Sequence, residues 1–413
     1  MTKPGRTFLL LFALAFAVRL AAGLWTGMSR EPVEDERGYV EMAERVSGAR
    51  YDKYIDADLP RSDRFKMVRW VGGSPFDRRS FRGPVAPILF APVGGFGGGV
   101  AWMRLVAILC GALGPPLLFL ALRRSPLGDR AWWPAAAYAL WPPAIYVSVR
   151  ALSEAPSQAF LLGSVAVLAA PKSRHAAWSG LLSGLAILAR PSALLSAGLL
   201  AFAAGKWRRI LVFGLVLFLV VDVWVARNWH LHGRALLTTN SGVTLVGGNS
   251  QAAADAEPPG KWVPPERVYA NAADPPDLGM WGWSSLSEEA SDRRFAADAA
   301  TWVRENPGAA ARLACWKVVR LFDPDPHSEK DDAAGKAWIG WLTFGPVLLL
   351  AVLGHSAWRA EMPWTLMLVG TVATAVVFYG DTRMRTCADP ALLVFAAHGA
   401  LRVVARLRAR DVH

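Results

Sequence analysis

Residues 34–39, Glu-Asp-Glu-Arg-Gly-Tyr, follow an apolar run long enough to cross a membrane, and their side chains could do chemistry. A helix over 35–47 would place Asp35, Tyr39 and Met42 on one face, because they recur at i, i+4 and i+7. The first carboxylate of this helix would then lie at a membrane surface, within reach of a lipid head group. The same aspartate could instead cap the helix, since Asp suits a helix N-terminus. Taken alone, the segment leaves both interpretations open.

Arginine, glutamate and asparagine recur where other apolar runs begin or end. Arg82 lies where the chain re-enters an apolar phase, and its rigid fork of donors could bind a phosphate. It could equally be an interfacial residue that keeps its charged end in water. Glu154 follows Arg150 near the start of another run, where a mutual ion pair would explain both residues. Similar boundaries hold Arg227, Asn228, Arg383 and Arg385, so we expect all of these side chains at the outer face of one membrane.

The composition defines the class of protein that carries these residues. The 413 residues are 53% hydrophobic and 19% charged, and they include three cysteines. Mean hydropathy is +0.26, and the apolar residues form long blocks. This excludes disorder, a coiled coil and a disulfide scaffold, and it predicts a polytopic membrane protein. The net charge of +12 does not indicate nucleic acid, because Lys and Arg cluster in short segments between apolar blocks, as in cytoplasmic loops.

The alternation of apolar runs and basic clusters predicts an all-α architecture with about ten membrane spans and both termini in the cytoplasm. The shortest crossings, 178–189 and 192–205, meet at a hinge at Arg190-Pro191. The predicted divisions are the first span (1–25), a first outer loop with the acidic and re-entry segments (26–99), a transmembrane core (100–226), a second, partly helical outer loop (227–336), and C-terminal spans with a basic cytoplasmic tail (337–413). Within the second outer loop we expect a helix over 291–315 with a break at Asn306-Pro307.

Read in order, the motifs resemble those of the bacterial GT-C class of integral membrane glycosyltransferases, in particular relatives of the protein O-mannosyltransferases (glycosyltransferase family 39) and of the lipid A aminoarabinose transferases. The resemblance covers nearly the whole chain and is carried by Arg19, Asp35-Glu36 with Tyr39, Arg82-Gly83-Pro84, Ser153-Glu154, Arg190-Pro191, Arg227-Asn228, Thr239-Asn240-Ser241-Gly242, Gly248-Asn249, Asn306-Pro307, Lys317 and Arg383 with Pro390. The last motif departs from the family pattern, because Met384, Thr386 and Cys387 intervene before Asp389-Pro390. This leaves open whether Arg383 or Arg385 faces the substrate.

The resemblance implies a transferase that takes a sugar from a polyprenyl-phosphate donor, with inversion, at the outer face of the bacterial cytoplasmic membrane. The acceptor would be a lipid, a glycan or a protein. Asp35 is then the candidate general base, and Glu36 is the less favoured alternative. The residues implied to bind the donor phosphate are Arg82, Arg227, Arg383 and Arg385. Those implied to orient the substrate or these arginines are Tyr39, Glu154 and Asn228.

Some relatives in this class use a divalent metal, but we predict neither a metal nor another cofactor. His230 and His232 form a His-x-His pair, which is more often part of a loop than a metal site. The identities of the sugar and the acceptor depend on loops within 36–80 and 240–330, where no motif specifies them.

Two other function classes compete with a transferase. A polytopic transporter or flippase of a lipid-linked substrate would explain the many spans. Such a protein needs ionisable groups along a path through the membrane midplane, and few lie within the predicted spans, Arg19 being the plainest. A noncatalytic subunit with the same fold would have lost the acid, whereas Asp35 is present here.

Overall fold

The structure is a computed structural model that describes residues 4–33, 35–47, 80–93, 99–170, 172–270, 287–324 and 337–410. Within these ranges the chain forms helices joined by turns and irregular loops. Parts of both predicted outer loops, 48–79, 271–286 and 325–336, lie outside the described residues. The loops on which we expect sugar selectivity to depend therefore fall partly outside them as well.

The helices in the described ranges vary from a single turn to the length of a membrane crossing. They are α1 (Pro4–Thr26), α2 (Asp35–Val46), α3 (Val85–Val93), α4 (Gly99–Leu122), α5 (Trp132–Ala139), α6 (Pro142–Ser148), α7 (Glu154–Leu168), α8 (Ser173–Ala189), α9 (Leu194–Leu199), α10 (Trp207–His232), α11 (Ser241–Gly248), α12 (Gln251–Ala254), α13 (Pro265–Val268), α14 (Glu288–Glu305), α15 (Pro307–Leu321), α16 (Ala337–Gly354), α17 (Met362–Val377), α18 (Thr382–Arg385) and α19 (Asp389–Arg410). The helix expected over 35–47 is α2.

Five helices in the described ranges are long and apolar enough to cross a membrane, namely Pro4–Thr26, Gly99–Leu122, Trp207–His232, Gly340–Ala357 and Asp389–Ala409. Pro191–Ala204 and Met362–Val377 are shorter apolar stretches. The protein is therefore an integral, multi-pass membrane protein, as its composition predicts. Few side chains of α10 are buried inside the bundle, as expected for a helix that faces lipid. The total of about ten spans stays a prediction.

Proline divides one of the predicted crossings and marks the hinge between two others. The run 131–149 is divided into α5 and α6, because Pro142-Pro143 lack the N–H groups that would continue the first helix. The carbonyl of Ala139 at this break accepts a hydrogen bond of 3.0 Å from Arg19, so a buried arginine replaces a missing backbone donor. Helix α8 ends just before Arg190-Pro191, which is where we expected the hinge.

Helices of the membrane core pack both on nearby helices and on helices far away in the chain. Helix α1 packs on α4, α4 on α7, α7 on α8, and α8 on α10, while α16 packs on α19 and α9 on α17. Between α7 and α8, the hydroxyl of Ser164 lies 2.7 Å from that of Ser179 and 2.9 Å from that of Ser183. Such small polar residues allow close helix contact in lipid. Because α7 and α8 are antiparallel, Glu154 at the start of one lies beside Arg190 at the end of the other.

The described part of the predicted second outer loop forms a helical unit from α11 to α15, which we call the outer unit after that prediction. Helix α11 packs on α14, and α15 packs on α17. The side chain of Ser287 caps α14 by accepting a hydrogen bond from the N–H of Ala290. Helix α14 ends at Glu305 and α15 begins at Pro307, so the helix expected here is found together with its break.

Candidate active site

The carboxylate of Asp35, at the start of α2, lies between two arginines from distant parts of the chain. One oxygen accepts a hydrogen bond of 2.8 Å from Arg82, in the loop before α3. The other accepts one of 3.0 Å from Arg383, in the short helix α18. The side chain of Asp35 is nevertheless 45% exposed. A solvent-accessible carboxylate is therefore held by two guanidinium groups, all three of them predicted site residues.

A second carboxylate, that of Glu154, lies behind this bridge and is fully buried. It accepts hydrogen bonds of 2.6 and 3.1 Å from Arg383, and Arg190 approaches the same oxygen at 3.0 Å. Arg82, Asp35, Arg383, Glu154 and Arg190 thus form one series of alternating charges, which we call the arginine–carboxylate cluster. It joins the ends of α2, α7, α8 and α18 with the loop before α3.

Tyr39 supports the cluster from the next turn of α2. Its ring packs against Arg82, whose guanidinium carbon lies 4.4 Å from the ring centroid, a cation–π contact. Its hydroxyl donates a hydrogen bond of 2.8 Å to Ser153, which precedes Glu154. Asp35 and Tyr39 therefore share one face of α2, as their spacing predicts.

The charges of the cluster hold Asp35 in its ionised form. Three arginines face two carboxylates, and the buried Nε of Arg190 has no hydrogen-bond partner among the described residues. The partial loss of water around Asp35 would by itself raise its pKa, but the charges of Arg82 and Arg383 outweigh this effect and hold the pKa below its usual range. The cluster thus keeps Asp35 ionised, and its own five charges sum to +1. The carboxylate of Asp381 accepts a hydrogen bond of 2.6 Å from the N–H of Arg383 and offsets part of this charge.

Glu36, the alternative base, occupies a different environment from Asp35. It is buried and accepts two hydrogen bonds of 2.8 Å from Arg104 of α4, and one of 2.8 Å from the N–H of Ala151. Arg104 also donates to three backbone carbonyls in the turn after α1, those of Gly27, Met28 and Arg30. Because successive residues of a helix point about 100° apart, Glu36 is turned away from the cluster and joins α1, α2 and α4.

Arg385 is likewise directed away from Asp35. Its guanidinium donates a hydrogen bond of 2.9 Å to Asp389, and the guanidinium carbon lies 3.6 Å from the ring centroid of Phe344. It also donates to the carbonyls of Leu321 and Asp323, at the end of α15. Arg383 is therefore the arginine of this pair that faces the cluster, and Arg385 anchors the turn from inside the protein.

Arg227 and Asn228, at the end of α10, support the segment that leads to Arg82. Arg227 donates hydrogen bonds of 2.8 Å to Asn228 and 3.0 Å to the hydroxyl of Ser80, and it stacks on Trp224. Asn228 is fully buried and accepts a hydrogen bond of 2.8 Å from Ser80. These two residues are brought to the base of the loop that carries Arg82.

The outer unit also forms hydrogen bonds with Ser80, in the segment that leads to Arg82. The carboxylate of Glu288 accepts hydrogen bonds from the N–H of Ser80, at 3.2 Å, and from the hydroxyl of Thr239. The N–H of Thr239 in turn donates 3.0 Å to the carbonyl of Ser80. Since Ser80 precedes Arg82 by two residues, α14 helps to set the position of that arginine.

Two residues of this region were absent from the predicted site. Arg190 is part of the cluster. The sequence could have indicated it, because it is a charged residue between an apolar run and a proline. Arg104 organises Glu36, and it interrupts the apolar run of α4. Charge within an apolar run could have identified both residues. Within the described ranges, no three His, Cys, Asp or Glu side chains converge to hold a metal ion.

No protein-family model and no curated protein matches this sequence. Solved structures do match. The oligosaccharyltransferase AglB of Archaeoglobus fulgidus, in complex with an inhibitory peptide and a dolichol-phosphate, gives a TM-score of 0.50 at 13% identity, over 98% of this chain and 51% of that one. The oligosaccharyltransferase of the same organism in complex with Zn and sulfate gives a TM-score of 0.50 at 13% identity. That match covers 98% of this chain and 50% of the other. This chain thus spans about half the length of that protein.

ArnT from Cupriavidus metallidurans, bound to undecaprenyl phosphate, matches with a TM-score of 0.42 at 13% identity, over 95% of this chain and 77% of that one. At these identities the similarity is one of fold alone. The described helices are arranged as in the transmembrane core of the archaeal GT-C oligosaccharyltransferase, which confirms the expected resemblance at the level of fold.

Proposed function

We propose that this protein is a membrane glycosyltransferase that moves a sugar from a polyprenyl-phosphate donor to a lipid, glycan or protein acceptor, with inversion at the anomeric carbon. The observation that carries the proposal is the exposed carboxylate of Asp35 between Arg82 and Arg383. It supplies a base and two phosphate ligands at one place. A donor of this kind also suits a fold whose archaeal relative is described with a dolichol-phosphate.

In the proposed reaction, the acceptor hydroxyl forms a bond to the anomeric carbon while the bond from that carbon to the donor phosphate oxygen breaks. Asp35 takes the proton of the hydroxyl, and the polyprenyl phosphate leaves with the bonding electrons. Arg82 and Arg383 stabilise the charge that develops on the phosphate. Glu154 orients Arg383 from behind, and Tyr39 orients Arg82.

Donor binding also prepares the base in this proposal. In the structure the guanidinium groups that would bind the phosphate are paired with Asp35, which lowers its pKa and weakens it as a base. A phosphate that draws Arg82 and Arg383 towards itself weakens both ion pairs. Asp35 then regains basicity when the acceptor must be deprotonated.

Glu36 and Arg385 are assigned structural roles in this proposal, because each pairs with a buried partner inside the protein. Arg227 and Asn228 support the loop of Arg82. The reaction is placed at the outer face of the bacterial cytoplasmic membrane, with 26–99 and 227–336 as outer loops and both termini inside. The basis for this topology is the clustering of Lys and Arg in the other loops.

The test is a transfer assay with purified protein in lipid nanodiscs and a panel of radiolabelled polyprenyl-phosphate sugars. Label that moves to lipid, glycan or protein supports the proposal, provided that Asp35→Asn protein does not move it. A flippase would instead move the intact donor across a proteoliposome bilayer. Transport of the donor without sugar transfer would contradict a transferase. So would the absence of both activities with all donors of the panel.

A further inference from the structure

We infer that Lys317 of α15 is a positioning residue for Arg383, and that it acts through the carboxyl end of α17. The inference rests on the proposed function, because that function makes Arg383 a ligand of the donor phosphate. Lys317 belongs to the outer unit, whereas Arg383 belongs to the short helix α18 between the apolar helices α17 and α19. The contact between them runs through the backbone of residues 376–381.

Lys317 caps the last turn of α17 together with Asn249. The ammonium donates hydrogen bonds of 3.1 Å to the carbonyl of Val376 and 2.7 Å to the side-chain oxygen of Asn249. The amide of Asn249 donates 2.9 Å to the carbonyl of Val377. The last carbonyls of a helix have no partner within it, so these two side chains satisfy groups that would otherwise be left open.

Lys317 is 1% exposed, which is rare for a lysine. Both of its described acceptors are neutral, so no carboxylate offsets the cost of burying its charge in these contacts. The partial negative charge at the end of α17 is the feature that favours an ammonium here. The geometry is that of a helix C-cap supplied by a different element of the chain.

The backbone that follows α17 is held at van der Waals distance on both sides. A Cβ on Gly380 would lie 2.1 Å from the carbonyl oxygen of Lys317, and one on Gly248 would lie 1.8 Å from that of Phe378. The N–H of Gly380 also donates 2.9 Å to the carbonyl of Gly260. The linker between α17 and α18 therefore has little room to shift relative to the outer unit.

The far side of α18 is tied to the same helix of the outer unit. Arg385 donates hydrogen bonds to the carbonyls of Leu321 and Asp323, one turn beyond Lys317. Helix α15 thus holds the chain on both sides of Arg383, upstream through Lys317 and downstream through Arg385. The place from which Arg383 reaches Asp35 and Glu154 is set by the outer unit.

The test measures the turn directly and does not depend on transferase activity. Cys387 is buried two residues beyond α18, so its labelling by a maleimide reports whether the turn opens. The other cysteines are removed as Cys110→Ala and Cys315→Ser. In this background we expect Lys317→Met to raise the labelling rate of Cys387 about tenfold. Lys317→Arg, which keeps the charge, should recover part of the protection.

The matched control is Thr371→Val, which removes a buried hydrogen bond between α17 and α9 more than one helical turn before Val376. It should lower the melting temperature without exposing Cys387. Equal labelling of Cys387 in Lys317→Met and wild-type protein would overturn the inference, as would equal exposure in the control. If Lys317→Met does not fold, Asn249→Ala is judged by the same two outcomes.

A second readout separates this inference from the proposed function. The affinity for undecaprenyl phosphate is measured for wild type, Lys317→Met and Arg383→Ala. We expect the dissociation constant of Lys317→Met to rise by less than about tenfold, and that of Arg383→Ala to rise by more. If wild-type protein fails to bind this lipid phosphate, the proposed function loses support, while the labelling of Cys387 still decides the role of Lys317. Exposed Cys387 with unchanged affinity would contradict a positioning role for Lys317.

Discussion

Asp35 and Arg383 are separated by 348 positions in the chain, and their side chains meet at 3.0 Å. One belongs to the helix after the first span, and the other to a single helical turn near the last. Arg383 also forms an ion pair with the buried Glu154, so one guanidinium connects an exposed carboxylate with a buried one. If the site is a transferase site, this arginine couples donor binding to the state of the base.

Asp35→Asn should separate catalysis from binding and capping. Asn caps a helix about as well as Asp, so the variant should fold and insert normally. Turnover should fall by about two to four orders of magnitude, the usual worth of a positioned base. Affinity for undecaprenyl phosphate should hold or increase, because Arg82 and Arg383 lose a competing carboxylate. An active Asp35→Asn enzyme would move the base to Glu36 or Glu154.

Arg383→Ala should weaken lipid binding, whereas Arg385→Ala should lower the stability of the protein. Arg383→Ala should fold and raise the dissociation constant for the lipid phosphate by about 10- to 100-fold, through loss of a charge-assisted hydrogen bond. Arg385→Ala leaves Asp389 buried without its cation and should cost about 3–5 kcal/mol of stability. Melting temperature and lipid binding are measured for both. The control is the double variant Arg385→Met/Asp389→Leu, which should recover stability because no buried charge is left unpaired. A stable Arg385→Ala protein that no longer binds the lipid phosphate would make Arg385, and not Arg383, the phosphate ligand.

Glu36→Gln should affect folding more than chemistry. The substitution removes the charge that Arg104 binds through two hydrogen bonds of 2.8 Å. We expect a loss of about 3 kcal/mol or more, because a buried arginine is left without its partner. Turnover per folded molecule should stay within a few-fold of wild type. A stable Glu36→Gln protein whose turnover falls as far as that of Asp35→Asn would make Glu36 a participant in the reaction.

Lys317 should make stability depend on pH in the alkaline range. Burial lowers its pKa from the ordinary 10.5 to about 8 in the folded protein. Between these values the unfolded chain binds more protons than the folded one, so stability from this group rises from pH 8 to 10.5, by at most about 3 kcal/mol. The measurement is the melting temperature of wild type minus that of Lys317→Met across this range. Parallel profiles for the two proteins would show that Lys317 titrates normally.

The topology can be tested with single cysteines in membrane vesicles of known orientation. A cysteine at Lys261 should be labelled from the outside, whereas one at Arg208 should react only after the membrane is permeabilised. The reason is the clustering of basic residues around 206–209, typical of a cytoplasmic loop. Labelling of position 261 only after permeabilisation would place the cluster at the cytoplasmic face and remove the basis for the proposed donor.

Several features of the fold and site were predictable from short stretches of sequence. The helix that begins at Asp35 follows from the spacing of its residues, and the hinge at Arg190-Pro191 and the break at Asn306-Pro307 follow from proline geometry. The shared face of Asp35 and Tyr39 follows from the helical repeat. Each of these depends on residues within a few positions of one another.

The partners of neighbouring residues could not be predicted in the same way. Asp35 and Glu36 are adjacent and chemically similar, yet one faces Arg82 and Arg383 and the other is buried against Arg104. A rotation of about 100° between successive helical residues separates them, and only the packing of α2 decides which direction is buried.

The sequence by itself determined the membrane class and the positions of many helix ends, because the length of an apolar run and the effect of a proline are local properties. It also indicated most of the charged residues of the cluster, because a charge at the end of an apolar helix is costly unless it has a partner. Tertiary structure alone decided which partner each charge has. Asp35 and Arg82 lie 47 positions apart, and Asp35 and Arg383 lie 348 apart. Contacts over such separations depend on how whole helices pack and rotate against each other, which no local pattern specifies.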